Sequence, residues 1–210
     1  FGRLDRYRGV ALASGQLVPV TYQDFVWQPA DFCAFLPVGH YASPRLSHHY
    51  AAAGVGAAYV VQTTNPPRYP FTRMSQPFAA TAVVAPAPSL GGGFALQFYD
   101  PLRTCATESG LPITRDLTAP IAYAASQETD AWIMDFLRPD RGDPLEGLRM
   151  GEPFQPGKIP IVFVHGLASD PLTWAELVNE LRAQPSIVSR YQFWSFRYDT
   201  GDPFLSSAAM

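Results

Sequence analysis

Ile159-Pro-Ile-Val-Phe-Val-His-Gly-Leu-Ala168 is the stretch whose reading decides the expected fold. Ile161 to Val164 is a continuous apolar run, the pattern of a strand covered on both faces in a parallel sheet. It opens into His165-Gly166, where a glycine gives the backbone freedom to turn. Asp170-Pro171 then offers an N-cap followed by proline at the first helical position, and Thr173-x-x-Glu176 offers a capping box. Trp174, Leu177, Val178 and Leu181 fall at i, i+3, i+4 and i+7, one apolar stripe of a helix that Pro185 stops. Tyr191 to Tyr198 is the next strand, bounded by Asp199-Thr-Gly-Asp-Pro203, and Asp202-Pro203 opens a further helix through Phe204 and Leu205. Strand, helix, strand and helix start predict a βαβ unit with a right-handed crossover.

Working outward, Leu145 to Met150 reads as a strand and Pro153 to Pro160 as a turn. Residues 113–144 form a helical and linker segment. Thr118 is expected to cap a short helix with Pro120 in its first turn, running through Ala122 to Ala125. Trp132, Ile133, Phe136 and Leu137 share one helical face. Pro139-Asp-Arg-Gly-Asp-Pro144 breaks the chain before the βαβ unit. Residues 1–112 read as a β-rich accessory region. Its strand-like runs are Gln16 to Tyr22, Ala57 to Gln62, Ala79 to Ala85 and Phe94 to Tyr99, the last two joined as a hairpin through Pro86 to Gly93. Tyr50 to Ala53 is expected to be a helical turn. The predicted class is therefore α/β: accessory region 1–112, linker 113–144 and a sheet-forming unit 145–210.

Composition excludes several functions. Of the 210 residues, 47% are hydrophobic and 16% charged, enough apolar surface for a core. A net charge of −3 and the lack of a basic cluster with interleaved aromatics argue against a nucleic-acid surface. No uninterrupted apolar run is long enough to span a bilayer, since Phe78 to Leu96 is broken by Pro86, Pro88 and Gly91 to Gly93. Cys33 and Cys105 show no metal-ligand spacing and read as two buried thiols. A disulfide between them is the alternative, suited to an oxidising compartment, and an extracytoplasmic or cell-envelope setting is the expectation. His48-His49 point to opposite faces of an extended segment without partnering cysteines or carboxylates, so no metal is expected.

The chemistry resides in His165-Gly166-Leu167. An acyl-transfer site needs donors aimed at a developing oxyanion, and one of them is a backbone N–H in the loop after a buried strand. On that logic the Leu167 N–H is the donor, Gly166 supplies backbone freedom, His165 shapes the loop, and Ala168 and Ser169 line the entrance. Ser169 lacks flanking glycines and is not read as a nucleophile. Trp174 and Trp194 are read as core packing.

Ile159 to Leu167, with Thr173-Trp174 and Tyr191-Gln192-Phe193-Trp194, resembles the α/β-hydrolase superfamily in its lipase/esterase-like branch. Together with Pro156-Gly157-Lys158, these residues are similar to a group of bacterial hydrolases with an N-terminal β-rich extension. The resemblance covers 145–210. It implies the N-terminal part of an α/β-hydrolase sheet, a serine hydrolase acting on carboxylic (acyl) esters, a small-molecule or lipid-like substrate, and no cofactor. It also implies that the nucleophile follows the next helix and strand. No Gly-x-Ser-x-Gly occurs in the sequence. Phe1 and Met210 read as cuts, so the chain is expected to be an inactive fragment that stops short of nucleophile, acid and base. Asp199 and Asp202 come too early to be the triad acid and read as turn or cap residues. An acyltransferase or thioesterase shares the same loop chemistry. The alternative of another class is a non-catalytic binding module on a hydrolase-like scaffold.

Overall fold

The computed structural model describes residues 9–11, 15, 17–39, 41, 46–64, 69–72, 77–87, 93–126, 147–164 and 172–197. In chain order the elements are β1 (Gly9–Ala11), β2 (Leu17–Gln23), a 3-10 turn (Pro29–Asp31), β3 (Phe32–Pro37), β4 (Ala51–Ala52), β5 (Ala57–Thr63), β6 (Pro77–Pro86), β7 (Phe94–Tyr99), β8 (Arg115–Asp116), α1 (Ala119–Ser126), β9 (Gly147–Met150), β10 (Ile159–Val164), α2 (Leu172–Arg182), α3 (Pro185–Arg190) and β11 (Tyr191–Arg197).

The fold class differs from the expectation. The described residues are 46% strand and 19% helix, and the largest element is a curled, mixed six-stranded sheet, not an α/β-hydrolase arrangement. Its order is β1-β2-β7-β6-β5-β3. Only β2 and β7 pair in parallel, and the other neighbours are antiparallel. The physical reason lies in the long-range pairing of apolar runs. Ala57–Thr63, Pro77–Pro86 and Phe94–Tyr99 carry the β-branched and aromatic residues that fit a pleated surface. They pair into a sheet far larger than the helix–strand alternation in the last third of the chain. At Gly56 the backbone has φ 87° and a Cβ would meet the Ala82 carbonyl, so only glycine lets β5 enter this sheet.

One face of the large sheet carries an aromatic core. Trp27, Phe32, Val61, Phe78 and Phe98 are buried, with Tyr22, Phe25 and Phe35 packed against them. Tyr22 stacks on Phe98 at 5.6 Å and Trp27 on Phe78 at 6.1 Å, geometries that add to simple area burial. Helix α1 lies against β5 and β6. Its Ala119, Ile121, Ala122 and Ala124 are all buried, as expected of a helix that is apolar nearly all round. The Ile121 and Ala124 side chains also join Phe163, Ala175 and Val178 in a second core. Helix α1 therefore links the large sheet to the later elements.

Those later elements form a three-stranded sheet of order β10-β11-β9. Strands β10 and β11 are parallel, from Ile159↔Tyr191 to Val164↔Phe196, and β9 is antiparallel to β11. Strand β10 is not covered on both faces. Phe163 is buried, but Ile159, Val162 and Val164 are 52%, 43% and 48% exposed. Pleating places Ile161 and Phe163 towards the core shared with α2, while Val162 and Val164 face away.

Two further local expectations change, and one holds. Tyr50 to Ala53 is not a helical turn, because Ala51 and Ala52 pair with Asp116 and Arg115 as β4 and β8. As expected, α2 does not continue through Pro185: it ends at Arg182, and Pro185 opens α3 as its first residue, the position where a missing N–H costs nothing. Neither cysteine is buried. Cys105 is an exposed thiol, and exposed Cys33 donates to the Thr63 carbonyl at 3.2 Å. Among the described residues no helix is long and apolar enough to cross a membrane.

Candidate functional site

His165, Gly166, Leu167, Ala168 and Ser169 lie outside the described residues, as do Asp170, Pro171, Asp199 and Asp202 and the expected helix around Trp132. The structure fixes what brackets the predicted loop. Val164 ends β10, which pairs in parallel with β11, and Leu172 opens α2. Phe163 is buried at the end of β10 and meets Trp174 edge-on at 5.4 Å. That contact seats the first turn of α2 against β10. Trp194 is half-buried beside Phe154 at 6.3 Å.

The far side of α2 is tied to the β-rich region by a chain of polar groups. The Asn179 amide donates to the His48 carbonyl at 2.9 Å, and its oxygen accepts from the Thr118 hydroxyl at 2.8 Å. Thr118 Oγ1 in turn accepts the Tyr50 N–H at 2.8 Å. Thr118 thus serves the seam, and the α1 start is capped instead by Asp116, whose carboxylate accepts the Ala119 N–H at 2.8 Å. His48 and His49 diverge. His49 Nε2 meets Asp116 Oδ2 at 2.9 Å, whereas His48 Nδ1 lies 2.8 Å from Glu180 Oε1. The Tyr50 hydroxyl donates to Glu180 Oε2. That bond, then desolvation and the carboxylate's charge, raises the tyrosine pKa above its ordinary value. Glu176 completes a cluster with His48 and Glu180 whose ligand atoms all lie within 4.8 Å of one another.

A second polar cluster joins the large sheet to the three-stranded one. Arg103, in the turn after β7, bonds Asp100 on one side and on the other Glu152 at 2.7 Å and Gln155 at 3.2 Å. Arg182, at the end of α2, lies 3.7 Å from Glu152. Buried Gln192 accepts the Gln155 N–H at 3.2 Å and donates to the Lys158 carbonyl at 3.0 Å, holding the 151–158 turn to β11. Burial pushes the Asp100 carboxyl up to about 6, against the opposing pull of Arg103. Burial pushes Glu152 up too, but Arg103, Arg182 and Lys158 outweigh it and hold that carboxyl at about 2.

The two shifts have opposite consequences for stability. Glu152 titrates lower in the folded chain than the ~4.3 of an unfolded glutamate. Its contribution, ~3 kcal/mol, is present above pH ~4.5 and is lost as pH falls towards 2. Asp100 titrates higher than the ~3.9 of an unfolded aspartate, so its ionisation reduces stability as pH rises from ~4 to 6. Urea midpoints measured from pH 2 to 7 are expected to peak near pH 4 to 5, and Glu152→Gln is expected to flatten the acid limb. An unchanged acid limb in that variant contradicts the assignment.

Sequence reading found none of the residues in these two clusters as site residues. Two signals were available: the His48-His49 pair, read as not binding metal, and Glu176 and Glu180, four apart on a predicted helix. Their partners come from distant segments that only the tertiary fold brings together. No family model, no curated protein and no solved structure matches the chain.

Proposed function

We propose that the chain supplies the oxyanion side of a site that hydrolyses carboxylic esters, with a small-molecule or lipid-like acyl ester as substrate. The supporting observation is the parallel pairing of β10 with β11, since His165-Gly166-Leu167 follows directly in sequence on the carboxyl end of β10. Ligands of open parallel sheets bind beyond the carboxyl ends of the strands, and a helix N-terminus in general favours an anion. The reading rests on this local arrangement and on the loop's sequence, not on an overall hydrolase architecture.

In this reading the Leu167 N–H donates to the oxyanion of the tetrahedral intermediate, and Gly166 lets the backbone approach it. His165 holds the loop, Ala168 and Ser169 line the entrance, and the nucleophile is not among these residues. The chemistry uses no cofactor. Acyltransferase or thioesterase activity would use the same donors with a different acceptor or leaving group.

The test is turnover of p-nitrophenyl esters of short and medium chain length. The 210-residue chain alone is expected to give no hydrolysis above a heat-killed control. The protein as its gene encodes it is expected to turn these esters over. Steady hydrolysis by these 210 residues would place the nucleophile among them. No turnover of any ester or thioester by the gene product favours a non-catalytic module.

A further inference from the structure

We propose that His48, Glu176 and Glu180 bind one divalent first-row transition-metal ion, with zinc as the reference ion, on the face of α2 that meets the 46–50 segment. One imidazole nitrogen and one oxygen from each carboxylate lie within 4.8 Å of one another. Ligands that share one tetrahedral ion at ~2.0–2.2 Å lie ~3.3–3.6 Å apart, so side-chain movements of ~1–1.5 Å bring these three atoms onto one ion.

Two further features point to a cation. Glu176 and Glu180 sit one turn apart on α2, and two like charges at that spacing repel. A cation between them turns the repulsion into attraction. Glu180 Oε1 is a buried atom without a hydrogen bond of sound geometry, although His48 Nδ1 lies only 2.8 Å away. The other oxygen of Glu180 is occupied by the Tyr50 hydroxyl. A buried carboxylate oxygen whose neighbouring imidazole is poorly aligned to donate is costly, and a metal ion bound beside the imidazole satisfies it.

The support behind the ligands is built in. Asn179, 1% exposed, holds the His48 carbonyl and is itself held by Thr118. Tyr50 orients Glu180. Such outer contacts set ligand direction. His49 turns away to Asp116 and is not a ligand.

An imidazole with two carboxylates suits zinc, manganese or ferrous iron better than calcium or magnesium, which take oxygen ligands almost exclusively. Three protein ligands leave a coordination position for water or another molecule. The site does not depend on the ester-hydrolase reading, because its ligands and its readout are separate from the 165–169 loop.

The experiment uses the whole chain, with the exposed thiols of Cys33 and Cys105 alkylated and all metal removed by chelation. Zinc is titrated by calorimetry and cobalt(II) by its visible absorption. The expected result is one ion per chain, a cobalt spectrum of four- or five-coordinate character, and a melting temperature raised by ~5 °C at saturating zinc. His48→Ala and Glu180→Gln are each expected to weaken zinc binding by more than ~10-fold, the scale on which even outer-shell changes act. His49→Ala is expected to leave binding unchanged. Glu176→Gln leaves the seam hydrogen bonds intact and carries the test if the other variants do not fold. No stoichiometric uptake, uptake by Glu176→Gln equal to the parent, or calcium bound as tightly as zinc overturns the proposal.

Discussion

Arg103→Met is expected to lower the stability of the chain by ~3–5 kcal/mol at pH 7, the scale for removing one member of a buried ion pair. Among the described residues, Arg103 is the side chain that bonds both Asp100, directly after β7, and Glu152 after β9. Both acids are largely buried, so removing the guanidinium leaves two carboxylates of like sign without their shared counter-charge. Arg182 is too distant from Glu152, at 3.7 Å, to replace a hydrogen bond. Arg103→Lys is expected to recover only part of the loss, because one ammonium cannot reproduce the planar fork. Adding Asp100→Asn and Glu152→Gln to Arg103→Met is expected to restore stability substantially, since the penalty comes from unpaired buried charge. Urea unfolding at constant m gives the comparison. A loss below ~1 kcal/mol, the range of surface pairs, contradicts the view of this cluster as the lock between the two sheets.

The second large effect concerns the proposed site. In the protein as its gene encodes it, Leu167→Pro is expected to lower kcat for ester hydrolysis by ~10²–10³, the cost of one missing oxyanion donor. KM is expected to change little, because the lost bond is made to the oxyanion and not to the ground-state carbonyl. Leu167→Ala keeps the N–H and is expected to stay within a few-fold of the parent. Equal losses in the two variants would assign the effect to the side chain and contradict the proposed role.

The sequence made some elements legible for clear reasons. Phe94 to Tyr99 and Ala57 to Gln62 carry β-branched and aromatic residues between turn signals, and they are strands β7 and β5 with nearly those bounds. Pro120 marks the first turn of α1. What failed were features decided by distant partners. Ala51-Ala52 carries no local strand signal and becomes β4 only because Arg115-Asp116 comes to lie beside it. Thr118 resembles a cap, yet its hydroxyl is recruited by Asn179. The class expected from the last third of the chain was overturned by residues 9–99, whose runs pair across long stretches of sequence. The His48–Glu180 contact was illegible for the same reason: adjacent histidines show no ligand pattern until a helix from the far end of the chain meets them.

The most direct test of the functional account replaces only the amide of residue 167 by an ester linkage through semisynthesis, so that the N–H is lost while side chain and backbone path remain. The account predicts that kcat for p-nitrophenyl ester hydrolysis falls by ~10²-fold or more with KM nearly unchanged. A kcat equal to that of the all-amide protein would contradict it.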